Sequence, residues 1–249
     1  VAVPTTAGTG AEVTPFATVW DREHRKHSVA TPPLFPRTAI VDPSLTASLP
    51  WEETLSTGLD ALSQCFESVF SRHATPVSSL FADAGLRAIP DALRTLRRDL
   101  QDDAARTTMS RSALFSGLAI SQTRTGIAHS ISYPLTGHLG VPHGLACSFS
   151  LPAVLEFNAQ QDDGRLARIA GNAGLTGPDG LIDQLLALYA DLGVWTALRR
   201  YISDPSVLLD HRDEMYTPGR ADTNMRAATS DSIDAILGRS RTLLDGAAR

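Results

Sequence analysis

The stretch "WEETLSTGLDALSQCFESVFSR", residues 51–72, sets Leu55, Leu59, Leu62, Phe66, Val69 and Phe70 at steps of three and four along the chain. That spacing makes the apolar stripe of a helix, not the alternation of a strand. Upstream the pattern differs. "VAVP", "EVTPFATVWD" and "TAIVDP" are rich in Val, Ile, Phe and Thr and are punctuated by Gly, Pro and Asp, which reads as edge or returning strands. Downstream the helical period persists. "PVSSLFADAGLRAIPDALRTLRRDL" continues it with an interruption expected at Pro90, and a helix at 104–122 carries Leu114, Leu118 and Ile120. Further helices are predicted at 127–135, 145–157, 164–173, 179–190, 194–201 and 230–245, the last capped from "TSDSIDAIL". The expected fold is therefore mainly α: a β-rich entry over residues 1–50 and a helical body over 51–249.

The chain has 249 residues, of which 43% are apolar and 20% charged, an ordinary globular balance that can bury a substantial core. A formal net charge of −5, with no basic run longer than the arginine pairs at 97–98 and 199–200, gives no footprint for nucleic acid. No apolar stretch approaches the roughly 18 to 20 residues that cross a bilayer. With no secretory signal at its start, the chain is expected to be cytoplasmic, with neither a membrane nor a nucleic-acid partner. Cys65 and Cys147 lack CxxC spacing and read as buried thiols of a reducing compartment. Because Val1 opens directly in a strand-like run, the chain is expected to be a fragment cut through its first domain.

Three places offer chemistry. Asp60 and Gln64, four apart, lie about 40° from each other on one helix face, a spacing suited to two ligands of one ion or to a solvent-facing pair. His129 on a helix and His143 in the "VPHG" turn can converge on one point, and together with Asp60 and Gln64 they would suit iron(II) or zinc. "TTAGTGAE", residues 5–12, follows a strand and is rich in Gly and hydroxyls, which suits close approach to a phosphate or nicotinamide, or a plain turn.

Taken in order, "PTTAGTGAEVT", "AIVDPSLTASLP", "STGLDALSQCFES", "GIAHSISYPL" and "VPHGLAC" resemble the iron-dependent (group III) alcohol dehydrogenase family, from residue 1 to about 160. The resemblance implies a two-domain, dehydroquinate synthase-like fold. Residues 1–50 would be the remnant of a nucleotide-binding α/β domain whose GGGS loop lies upstream, and residues 51–249 the helical domain that binds metal and substrate. It also implies that Asp60, His129 and His143 are metal ligands, with Gln64 standing where the family has a histidine. Tyr133 stands where many members have another histidine. Thr5, Thr6, Gly8, Thr9 and Lys26 match positions that contact the nicotinamide cofactor.

Within the family, "TPFATVWD", "KHSVA", "SGLAISQTRTGIAHSISYPLT" and "PHGLACSFSLP" are most similar to the phosphonoacetaldehyde reductase branch. The implied activity is NAD(P)H-dependent, metal-assisted reduction of a small aldehyde, phosphonoacetaldehyde, to the primary alcohol 2-hydroxyethylphosphonate. Arg124 would bind the phosphonate, Tyr133 or a water would supply the proton, and the whole protein would be a homodimer. The isolated chain is expected not to turn over. Two alternatives stand beside this reading: a metal-free reductase of the maleylacetate reductase type, which the retention of Asp60, His129 and His143 opposes, and an inactive helical module with a structural or oligomerising use.

Overall fold

A computed structural model describes residues 1–22 and 26–246, without the side chains of Trp20 and Lys26. Helix α1, Trp51–Phe70, is the centre of the molecule. The sequence shows an apolar stripe, yet almost every residue from Thr54 to Phe70 is buried. Small residues explain the difference: Ser56, Gly58, Ala61, Ser63 and Ser68 let neighbours close in on the faces that the stripe leaves open. Those neighbours are α2, Pro76–Arg98; α3, Asp103–Thr123; α4, Ile127–Leu139; and α5, His143–Ala159. Outside them lie α6, Arg165–Asn172; α7, Gly177–Leu192; α8, Val194–Arg199; and α9, Ser230–Gly246, which packs on α5. Among the described residues no helix is long and apolar enough to cross a membrane.

Local chemistry fixes the ends. Thr75 accepts from the Ser78 amide and Ser78 closes the reciprocal bond, a capping box that starts α2, while Asp102 accepts from Ala105 to start α3. Thr229 accepts from the Ser232 amide ahead of α9, as "TSDSIDAIL" foretells. The buried guanidinium of Arg106 donates to Thr54 Oγ1 and to the carbonyls of Leu49 and Leu100, which clips the start of α1 to α3. A 3₁₀ run over Pro205–Glu214 has no counterpart in the sequence reading. It is tied to α4 by His138 and His211, whose rings stack at 4.2 Å and share Glu214.

The interruption expected at Pro90 does not occur: α2 runs through it, as α4 runs through Pro134 and α5 through Pro152. A proline removes one intrahelical hydrogen bond. Here its neighbours Ile89, Leu93, Leu135, Leu151 and Ala153 are fully or almost fully buried, and their packing holds the helix together.

Residues 1–22 and 26–50 hold the expected short extended segments, broken by 3₁₀ turns at Ala11–Val13, Pro32–Leu34 and Pro43–Thr46. "EVTPFATVWD" begins as a 3₁₀ turn, Ala11–Val13, before strand β1, Phe16–Trp20. β1 pairs antiparallel with β2, Lys26–Ala30, in register Phe16 to Ala30. Ala2 and Ala39 form a parallel bridge that joins "VAVP" to "TAIVDP". The loop between bridge and turn lies on the helices. Gly10, with φ of 63°, touches Gly117 of α3 backbone to backbone, and a Cβ on Gly10 would stand 2.3 Å from the Gly117 Cα.

Candidate metal centre

Three helices deliver the candidate ligands. α1 presents Asp60, Gln64 and Glu67 along one face, α4 presents His129 and Tyr133 one turn apart, and α5 presents His143 and Cys147 one turn apart. The contact between α1 and α5 depends on Gly144. A Cβ there would lie 1.7 Å from the Ser56 carbonyl oxygen and 3.0 Å from the Asp60 amide nitrogen. Lacking one, α5 rests on the α1 backbone at the turn that carries Asp60, and His143 arrives beside it. This is the physical content of "VPHG".

The structure brings Asp60, His129 and His143 together, as the sequence reading places them. Their donor atoms and the Cys147 sulfur lie within 4.8 Å of one another. His129 Nε2 is 3.2 Å from Asp60 Oδ1, its Nδ1 is 2.5 Å from Glu67 Oε2, and its backbone amide donates to Glu67 Oε1 at 3.1 Å. The His129 and His143 rings meet edge to face at 5.4 Å. Cys147 Sγ is 3.7 Å from His143 Nε2.

Burial works against every charge here, and the charges answer one another. Burial raises the Asp60 and Glu67 carboxyls, but His129, joined by His143 and Gln64 at Asp60 and by the Gly126 and His129 amides at Glu67, outweighs it, and both stand below their usual range. Burial disfavours the His129 cation, but Cys147, Glu67 and Asp60 bring its pKa well above the ordinary value. Burial likewise raises the Cys147 thiol, yet the two imidazoles carry it down to about 6. An oxygen, two imidazole nitrogens and a sulfur converge in a largely buried, anionic site that favours a cation. This donor set fits a borderline divalent metal such as zinc or iron(II). Glu67 gives His129 the carboxylate partner that metal-bound histidines ordinarily have.

Gln64 lies on the same face, but both ends of its amide are engaged. Its oxygen accepts from Ser116 Oγ at 2.9 Å and its nitrogen donates to the Thr9 carbonyl at 3.4 Å. Glu67 and Cys147 are the residues that sequence reasoning missed. Both had a legible signal: Glu67 falls seven after Asp60 on the same helix face, and Cys147 falls four after His143.

Beside the centre lies a pocket of about 290 Å³ lined by Phe16, Ser28, Arg124, Tyr133, Thr217 and Arg220 among others. Arg124 caps α3 with φ of 62°. Arg220, absent from the sequence reading, donates to Ser28 Oγ at 3.2 Å and to Thr125 Oγ1, and its guanidinium stands 5.5 Å over the Tyr133 ring. Neither arginine has a carboxylate partner among the described residues. Burial raises the Tyr133 phenol to about 12, so it remains protonated at neutral pH.

The residues matched to a cofactor are more scattered. Thr5 and Thr9 are exposed, Thr6 is half-buried, and Gly8 is packed against Thr57 of α1. Lys26 belongs to β2, and its side chain lies outside the described residues.

Residues 54–240 match the profile of the Fe-containing alcohol dehydrogenase family, C-terminal, and residues 1–43 that of iron-containing alcohol dehydrogenase. The chain is 38% identical over 96% of its length to the phosphonoacetaldehyde reductase of Streptomyces viridochromogenes, of which it covers 62%. It is 36% identical over 68% of its length to the NAD-dependent methanol dehydrogenase of Bacillus methanolicus, of which it covers 45%. Among solved structures it is similar to the sulfoacetaldehyde reductase of Bifidobacterium kashiwanohense in complex with NAD+, with a TM-score of 0.87 and 30% identity over 95% of this chain and 63% of that one. An iron-containing alcohol dehydrogenase of Thermococcus thioreducens gives a TM-score of 0.88 and 26% identity over 96% of this chain and 64% of that one. The chain thus spans at most about two thirds of the length of these relatives.

Proposed function

Because the chain belongs to the iron-containing alcohol dehydrogenase family, we propose that it is the metal- and substrate-binding part of an NAD(P)H-dependent aldehyde reductase acting on phosphonoacetaldehyde. The observation that carries the reading is the adjacency of two sites: the converging donors of Asp60, His129 and His143, and a pocket lined by Arg124 and Arg220, which have no carboxylate partner among the described residues. A small neutral alcohol needs no cation in its pocket. A phosphonate dianion matches two guanidiniums, which bind such oxygens bidentately. The likeness to relatives named for phosphonoacetaldehyde and sulfoacetaldehyde supports an anionic aldehyde.

When bound, a divalent metal at Asp60, His129 and His143 supplies a Lewis acid to the carbonyl oxygen, and a nicotinamide supplies the hydride. Arg124 and Arg220 hold the anionic end of the substrate and so fix where its carbonyl lies. Tyr133, protonated and between the arginines and His129, donates the proton that the oxygen takes up. Glu67 orients His129. Residues 1–50 complete the cofactor side, where Thr5, Thr6, Gly8, Thr9 and Lys26 match positions that contact the nicotinamide nucleotide, and 51–249 hold the metal and substrate. The whole protein acts as a cytoplasmic homodimer.

The test is steady-state reduction by the whole protein, followed by loss of nicotinamide absorbance. Phosphonoacetaldehyde should be reduced with a higher kcat/KM than either sulfoacetaldehyde or a neutral aldehyde of the same length. Preference for the neutral aldehyde would reject the anionic substrate and leave a general alcohol dehydrogenase.

A further inference from the structure

We propose that Cys147 is a metal ligand in this chain, taking the fourth protein position for which Gln64 is the candidate by sequence, and that the centre is consequently built for zinc. The inference rests on the reading of Asp60, His129 and His143 as ligands and extends it to an atom that the family pattern does not call for.

Three observations converge on it. The first is placement: Cys147 follows His143 by one turn of α5, is wholly buried, and directs its sulfur into the space that Asp60, His129 and His143 surround. The second is metric. A tetrahedral ion bonded at about 2.3 Å to sulfur and about 2.0 to 2.1 Å to nitrogen and oxygen requires sulfur–nitrogen edges of about 3.5 Å and nitrogen–oxygen edges of about 3.4 Å. The corresponding separations are 3.7 Å from Cys147 Sγ to His143 Nε2 and 3.2 Å from Asp60 Oδ1 to His129 Nε2. These two edges match a tetrahedral ion, and the remaining donor pairs lie within 4.8 Å. The third concerns the rival donor. The Gln64 oxygen accepts from Ser116, and its nitrogen is held by the Thr9 carbonyl. Gln64 is thus tethered to α3 and to the loop of residues 5–9, whereas the Cys147 sulfur already stands among the other donors.

When the metal–sulfur bond forms, the thiol's S–H bond breaks and its proton leaves to solvent, so the sulfur binds as thiolate. A thiolate alongside two imidazoles and one carboxylate moves the site toward zinc, the softer choice, and away from the harder iron(II).

The protein, stripped of metal with a chelator and titrated with cobalt(II), reports the bond directly, because a thiolate–cobalt bond gives an intense near-ultraviolet charge-transfer band. We expect that band in the wild-type chain and in Gln64→Ala, its retention in His211→Ala, which removes the surface histidine pair, and its loss in Cys147→Ser. Cys147→Ser should also bind zinc at least about tenfold more weakly, with circular dichroism confirming that it is folded. Cobalt bound to the wild-type chain, displaced by His129→Ala, but without the band, would overturn the role of Cys147 and leave the other three ligands standing. Failure of the wild-type chain to bind cobalt at all would bring down the metal reading itself, and this inference with it. Because the wild-type spectrum is decisive alone, the proposal does not depend on how well the serine variant folds.

Discussion

Gly144→Ala tests how the site is built without touching any ligand. The added Cβ would stand 1.7 Å from the Ser56 carbonyl oxygen and 2.6 Å from its carbon, against an ordinary contact of at least 3.4 Å. Both atoms belong to the backbone of a helix buried on all sides, so neither can swing away. Relief requires α5 to retreat by well over 1 Å, carrying His143 from Asp60. Two effects oppose each other in stability. Alanine improves helix propensity over glycine by about 1 kcal/mol at most, whereas overpacking of this kind costs about 3 kcal/mol or more. The clash wins. The urea midpoint should fall by about 1 M or more, and zinc affinity, read by competition with a chromophoric chelator, should fall by about 10². Gly238→Ala supplies the control: it lies within α9 with no atom near its Cβ direction, so the same exchange should leave stability unchanged or raise it by up to about 1 kcal/mol. If Gly144→Ala behaves like Gly238→Ala, the helices do not meet where the structure has them meet, and the placement of His143 loses its explanation.

The other expectations follow from the same geometry. Arg124→Ala and Arg220→Ala should each raise KM for phosphonoacetaldehyde by about 10² in the whole protein while leaving a neutral aldehyde nearly unaffected; equal losses on both substrates would return the arginines to a structural role. Glu67→Gln should weaken zinc binding by about 10- to 100-fold, since His129 loses the carboxylate that orients it, and unchanged affinity would show that Glu67 serves packing alone. The stability of the metal-free chain should depend on pH. The His129 proton, its pKa raised, contributes fully below about 6.5, and that contribution disappears as pH rises through the raised value. Asp60 and Glu67, both lowered, contribute above about 4.5 and lose their contribution as pH falls through their lowered values. Cys147, its thiol lowered to about 6, gains stability as pH rises above about 6 and opposes the His129 loss there, so the acid side is the sharp test: thermal melts of chelator-treated chain should fall as pH drops below about 4.5, and no fall would mean that Asp60 and Glu67 are not paired with His129.

Much of this was legible in the sequence because its signals were local. The period of 51–72 is that of α1, and the spacing of Asp60 with Gln64 and of His129 with His143 is visible in the sequence as two pairs of donors. Prolines misled for an equally physical reason. Pro90 interrupts the local hydrogen-bond pattern that a sequence displays, whereas the burial of Ile89 and Leu93 that overrides it is made mainly by packing on α1 and α3, which a local pattern does not display. Glu67 and Cys147 were passed over because a carboxylate near a helix end and a lone cysteine look ordinary until their neighbours are known. Arg220 carries no local mark: it is far from Arg124 in sequence, and only the return of the chain past the 3₁₀ run sets both on one pocket. The tethering of Gln64 by Ser116 and Thr9 likewise joins three distant segments.

The backbone contact of Gly10 with Gly117 bears on mechanics. With no side chain between them, the loop of Thr5–Thr9 is riveted to α3 and, through Gln64, to the helix that bears Asp60. A rivet of that kind transmits displacement instead of absorbing it. If the cofactor side of the whole protein opens and closes over the metal side, residues 5–10 must travel with the metal, as a fixed lip of the cleft. The flexing must then take place outside residues 5–10. The compositional boundary at residue 50 and the mechanical one would then be different places.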